Sequence, residues 1–245
     1  MLAAAVSWHV PGARRGHAGR VMSPSGHRQL VTFAADSVRL EGLLALPPDP
    51  LGMVLFAHGS GSGRHSARNG AVASALRRAG LGTLLVDLLS EDEDYDTSRR
   101  FDIHMLTHRL GLAADWLADH PDTQHLPLCL FGGSTGAAAA LALAAARPAE
   151  VGGVVCRGGR PDLAADDVLA AVNAPTLFIV GALDAEVIVL NHRAYQLLGA
   201  EKHMDIVPGA SHLFEEAGRL DVVASLATRW FLTHLPASSP VKAER

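Results

Sequence analysis

Leu128-Cys129-Leu130-Phe131-Gly132-Gly133-Ser134-Thr135-Gly136, followed at once by the alanine-rich residues 137–147, is the stretch on which the fold turns. An apolar run enters a Gly-x-Ser-x-Gly turn and leaves it as a strong helix former, which predicts strand, tight turn and helix with the serine at the apex. Gly132 and Gly136 carry no side chain to collide where strand and helix fold back on each other, and the helix start turns its N–H groups toward the serine. Such a turn lifts a nucleophilic hydroxyl above the carboxyl end of a central strand. A Gly-Ser turn with Ser134 as a simple helix cap is the other reading of the same residues.

Further apolar runs of the same kind recur at residues 53–57, 82–86, 151–155, 176–180 and 204–207, with the one before the serine at 126–131. Continuous rather than alternating apolarity suits strands buried on both faces. Residues 29–33 and 38–46 alternate instead and read as an antiparallel pair meeting near Asp36 and Ser37. Between the runs, Ile103, Leu106, Leu110, Ala113 and Leu117 step at helical spacing, as do Val187, Leu190, Ala194 and Leu197, and Leu220, Val223, Ala227 and Trp230. Strand and helix alternate, so the class is α/β: a mostly parallel sheet of about eight strands with helices on both faces. Residues 28–236 read as one domain, 1–27 as a disordered extension and 237–245 as a flexible tail.

Of 245 residues, 49% are hydrophobic and 19% charged, and 21 Lys and Arg against 25 Asp and Glu leave a net charge of -4. No basic field exists to hold nucleic acid. The longest strongly apolar run, residues 137–146, is about half of what a bilayer crossing needs. Arg14 and Arg15 follow the apolar opening, the reverse of a secretory signal. Cys129 and Cys156, each inside an apolar run, read as buried free thiols of a cytoplasmic protein.

A serine hydroxyl needs a base, and a histidine base needs a carboxylate to fix its tautomer. Asp184 follows the run at 176–180 and His212 the run at 204–207, both on the edge where Ser134 lies and where open α/β sheets place ligands. Glu186, Glu215 and Glu216 compete for the acid and His203 for the base. The turn after 53–57, His58-Gly59-Ser60-Gly61-Ser62-Gly63-Arg64, supplies the oxyanion donor at the Ser60 N–H, with Gly61 as second choice, beside the Thr135 N–H. His58 shapes this loop and, with Gly59 and Gly61, borders the substrate. Arg64, Arg157 and Arg160 leave the sheet at the same edge and read either as an anion clamp or as surface ion pairs with Asp162 or Glu216.

With His58-Gly59, Gly132-Gly133-Ser134-Thr135-Gly136, Asp184 and His212 in place, the sequence resembles the dienelactone-hydrolase-related branch of the α/β-hydrolase superfamily over nearly all of residues 28–235. The resemblance implies an eight-stranded sheet and a Ser134, Asp184, His212 triad with no cofactor and no metal. It departs at the nucleophile: dienelactone hydrolases proper use cysteine, so dienelactone itself is not implied. The expectation is a hydrolase of small esters or lactones, some anionic. An acyltransferase on the same triad and a non-catalytic binding protein are the alternatives. A dinucleotide site on Gly59, Gly61, Gly63 and Asp87 is a weaker rival, because Arg64 stands where the third glycine is needed.

Only twenty residues separate Val155 from Thr176, with one short helix expected at 162–171. That leaves no room for a large lid, and the site should be open. Residues 90–96, rich in Asp and Glu, read as a mobile solvated loop. His104 and His108, four apart on a helix, lack the adjacent Glu of a zinc-protease helix, so no metal is expected. No nucleic acid or membrane partner is expected, and a homodimer is left open.

Overall fold

The computed structural model describes residues 27–235. The expected extension and tail fall outside them, apart from His27, which opens β1. Eight strands form one sheet in the order β1 (His27–Ala35), β2 (Val38–Leu46), β4 (Leu81–Val86), β3 (Gly52–Ala57), β5 (Leu128–Gly133), β6 (Val151–Arg157), β7 (Thr176–Gly181), β8 (Lys202–Val207). β1 pairs antiparallel with β2 and β2 with β4, while every pair from β4/β3 to β7/β8 is parallel. Each parallel return is made by a crossover: α1 (Ala67–Arg78) between β3 and β4, α3 (Ile103–Asp119) after β4, α4 (Thr135–Ala146) after β5 and α6 (Ala185–Leu197) after β7. The last helix, α7 (Arg219–His234), packs back beside α1.

β3, β4 and β7 are buried along their whole length, as their unbroken apolar runs demand. Two apolar clusters result. One, under α3 and α4, is filled by Leu55, Leu84, Leu130, Phe178 and the alanines of α4. The other, under α1 and α7, holds Phe56, Phe131, Phe214 and Phe231, with Phe56 and Phe131 rings 4.8 Å apart. Cys129 and Cys156 are free and fully buried in these layers.

Three local expectations are corrected. The strand before the serine is 128–133, not 126–131: Pro127 lacks an N–H, and Gly132 and Gly133 keep their register with Cys156 and Arg157 up to the turn. Residues 162–171 do not form one helix. A short 3-10 turn (Pro161–Leu163) and α5 (Asp166–Ala170) are separated by Ala164, which is extended and buried. Residues 90–96 are solvated as expected but hold a short capped helix rather than a loop. Ser90 and Glu93 close a capping box on α2 (Glu91–Asp94), and Arg109 of α3, almost wholly buried, grips both Glu93 oxygens at 2.6 and 2.8 Å. Sequence reading saw four successive acids and missed the buried cation sixteen positions on.

Candidate active site

Ser134 sits between β5 and α4 with φ 50° and ψ -122°, a conformation that costs a non-glycine residue about 1–3 kcal/mol. Its side chain caps nothing, so the capping reading fails. The strain is held from both sides. A Cβ on Gly132 would lie 2.5 Å from Ala137 Cα, and one on Gly136 would fall on the carbonyls of Ala57 and His58. The exit of β6 completes the clamp: Ser134 N–H donates to Arg157 O at 3.2 Å, and Arg160 N–H donates to Ser134 O at 2.9 Å.

Asp184 and His212 lie on the loops leaving β7 and β8. These loops touch because Gly181 has no side chain; a Cβ there would come within 2.5 Å of Ser211 O. His212 Nδ1 lies 2.6 Å from Asp184 Oδ2. A carboxylate on Nδ1 assigns the proton there and leaves Nε2 as the basic nitrogen. The imidazole packs on Gly158, where a Cβ would be 3.5 Å from Nδ1, one residue beyond the carbonyl that receives the Ser134 amide. Among the described residues no hydrogen bond joins Ser134 Oγ to the imidazole; such links often tighten only when substrate binds. Two competing acids are occupied elsewhere, Glu215 with Arg68 at 2.6 Å and Glu216 accepting the Ser211 N–H at 3.1 Å, while Glu186 stands exposed in the first turn of α6. His203 stands exposed on β8 beside Asp205.

The β3–α1 loop lies against Ser134, with Gly59 so close that a Cβ would be 2.8 Å from Ser134 Cβ. His58 is 5% exposed and both ring nitrogens are spent, Nδ1 on Gly59 O at 2.9 Å and Nε2 on the Leu88 N–H at 2.8 Å. Burial pushes its pKa down, favouring the neutral ring. His58 therefore shapes the loop and offers no polar atom to a substrate. The Ser60 N–H is not a free oxyanion donor either, since it donates to Thr135 Oγ1 at 2.9 Å. Gly61, with φ 65°, lines a neighbouring cleft of about 790 Å³ whose walls carry Glu41, Arg64, Arg68, Asp87, Glu91 and Asp94.

The three arginines separate. Arg64 is held by Asp87 and by Glu41, the latter at 2.5 Å, and Arg160 forks onto Asp162 with two contacts of 2.8 Å. Neither is free to clamp an anion. Because Asp87 is bound to Arg64, it is not available to a dinucleotide ribose. Arg157 differs. It is 6% exposed, its Nη2 reaches only the neutral Asn69 Oδ1 at 3.2 Å, and no carboxylate pairs with it among the described residues. Burial, with the charge of Arg68 adding to it, lowers its pKa to about 10, and it stays cationic at neutral pH. A Cβ on Gly133 would lie 2.8 Å from Arg157 Nη2, which puts the guanidinium against the turn that carries Ser134.

Among solved structures, the chain is 50% identical to a dienelactone hydrolase from Anabaena variabilis, covering 86% of this chain and 100% of that one with a TM-score of 0.83. The chain belongs to the dienelactone hydrolase family. Est1E from Butyrivibrio proteoclasticus, at 14% identity and TM-score 0.72 over 84% of this chain and 98% of that one, shares the fold. Two curated Mycobacterium tuberculosis proteins, from strains CDC 1551 and H37Rv, carry the provisional description of a phosphoribosyl transferase. Each is 50% identical over 210 residues, 86% of this chain and 47% of the relative. The chain thus spans about half the length of the curated relatives it matches. No protein-family model matches it.

Against the family's eight-stranded frame, three contacts around Ser134 and the neighbouring cleft escaped sequence reasoning: Asn69 on Arg157, the Thr135 hydroxyl on Ser60, and Asp87 on Arg64. Each joins residues more than twenty positions apart and leaves no periodic signal. His104 and His108 lie exposed on α3, and no cluster of three or more metal-ligating side chains occurs among the described residues. Nor, among those residues, is any helix long and apolar enough to cross a membrane.

Proposed function

We propose that this member of the dienelactone hydrolase family is a serine hydrolase that cleaves small carboxylic esters or lactones through an acyl-enzyme on Ser134. His212 Nε2 takes the Ser134 proton as Oγ adds to the carbonyl, then returns it to the departing alcohol. Water enters by the same route reversed, and Asp184 holds the imidazole in the tautomer that makes this work. The observation that carries the reading is the 2.6 Å contact between His212 Nδ1 and Asp184 Oδ2, on the sheet edge where the strained Ser134 is presented.

Arg157 supports the finer reading that the preferred esters bear a second, anionic group. A buried guanidinium with only an amide partner is costly, and an entering carboxylate would supply the missing charge. The absence of a long insertion between β6 and β7 favours small substrates.

Ser134→Ala decides the matter. Turnover of a small activated ester should fall by roughly four to six powers of ten, and labelling by a fluorophosphonate should vanish. Retained labelling would remove Ser134 from the mechanism. The transferase description belongs to relatives about half of whose length lies outside the match, and we assign no phosphoribosyl transfer to this chain. Consumption of 5-phosphoribosyl pyrophosphate by the purified chain would reverse that assignment.

A further inference from the structure

Thr135 follows Ser134, at the first position of α4, and the residue is 2% exposed. Its Oγ1 accepts the Ser60 N–H at 2.9 Å across 75 positions of sequence, so the two residues expected to supply the two oxyanion donors are bonded to each other. A hydroxyl that accepts one hydrogen bond keeps its own proton to donate. Among the described residues that proton has no acceptor: the hydroxyl makes no bond to the preceding turn, the usual outlet for a helical threonine. A buried donor left without a protein acceptor beside Ser134 is poised to donate to a group that enters there.

The setting places this hydroxyl beside Ser134. Thr135 N–H, at the helix start, has no partner within α4, and the hydroxyl of the same residue reaches out to Ser60 in the loop that touches Ser134 through Gly59. Resting on the serine-hydrolase reading, we infer that Thr135 supplies two donors to the oxyanion, its amide and its hydroxyl, and that Ser60 serves the reaction through the hydroxyl rather than directly. As Ser134 Oγ bonds to the carbonyl carbon, the carbonyl electron pair moves onto oxygen and the serine proton passes to His212. Thr135 O–H donates to the new oxyanion without losing its proton, while the Ser60 N–H polarises that hydroxyl from behind. Chained hydrogen bonds strengthen one another in this way. Thr135 is then a catalytic residue.

The test compares Thr135→Val, Thr135→Ser and Ser134→Ala on a small activated ester, alongside inhibition by a trifluoromethyl ketone, which mimics the tetrahedral adduct. Thr135→Val should lower kcat about 10²-fold, the loss typical of one oxyanion donor, with KM little changed. Its affinity for the ketone should fall by the same factor, whereas Thr135→Ser should stay within about threefold of the parent on both measures. Should Thr135→Val fail to fold, Thr135→Ala carries the same comparison. A Thr135→Val enzyme with undiminished or raised kcat would overturn the inference, as would a Thr135→Ser enzyme impaired as deeply as Thr135→Val. Undiminished turnover by Ser134→Ala would instead remove the serine-hydrolase reading beneath it.

Discussion

The amide of Arg160 donates to the carbonyl of Ser134 at 2.9 Å, which makes the exit of β6 the strap that holds the strained nucleophile turn in place. The same strap carries Gly158, at φ 51°, against which the His212 ring is packed. Gly158→Ala adds a Cβ 3.0 Å from His212 O in a left-handed conformation that costs a non-glycine residue about 1–2 kcal/mol. The expected outcome is a drop in kcat of roughly tenfold or more, exceeding what the modest loss of Tm accounts for. Steady-state kinetics beside a thermal melt would check it, and an unchanged kcat would show that the strap does not align the histidine.

Asp184→Asn keeps the shape of the acid but presents its amide to Nδ1, favouring the wrong imidazole tautomer. Turnover of a neutral ester should fall about 10⁴-fold with little change in stability. A loss below tenfold would mean that Asp184 orients nothing.

Arg157→Gln tests the proposed binding of an anionic group apart from the chemistry. For an ester bearing a free carboxylate, kcat/KM should fall about 10- to 100-fold, the worth of one charge-assisted hydrogen bond. The matched neutral ester should be hydrolysed within a fewfold of the parent rate. Equal losses on both substrates would make Arg157 a structural cation only.

Acid stability follows from the α2 segment. Arg109 lowers the Glu93 pKa from 4.5 to about 2, so the unfolded chain binds more protons than the folded one between those values. The contribution is complete above pH 4.5 and is lost as the pH falls toward 2. His58, held below its ordinary 6.5 by burial, acts in the same direction from higher pH, since unfolding lets it take a proton. Glu93→Gln should cost about 3 kcal/mol at neutral pH, because Arg109 is left buried without its partner, and should flatten the acid limb. Urea midpoints measured from pH 7 down to pH 3 would reveal either effect.

Burial pushes the Cys129 thiol up to about 12 and Cys156 higher still, so neither forms a thiolate near neutrality. Native enzyme should keep full esterase activity in excess iodoacetamide and react only after unfolding. Rapid inactivation would implicate a thiol.

The sheet was legible because its central strands are buried on both faces and so carry unbroken apolar runs; β3, β4 and β7 stand within a residue of expectation. The turn at Ser134 and the approach of Asp184 to His212 were also visible, since each of the three residues follows a run on one edge. Legibility failed where a contact depends on a partner far along the chain. Glu93 read as solvated until Arg109 closed on it, the Arg64 partner Asp87 went unread although the ion pair of Arg160 with Asp162 was one of two readings, and the Ser60 amide read as an open donor until Thr135 took it. The spacing of residues along a chain reports which face is buried, but not which buried charge meets which.

The helix behind the serine has consequences for altering substrate range. Nine of the twelve residues of α4 are buried, and the side chains among them are mostly alanines pressed between the sheet and its neighbours. An enlarged residue there would have nowhere to go, so the floor beneath the nucleophile is fixed by its smallness. Retuning of selectivity is left to the rim, and there to positions other than Gly59 and the residues 157–160, which hold the serine and histidine in place.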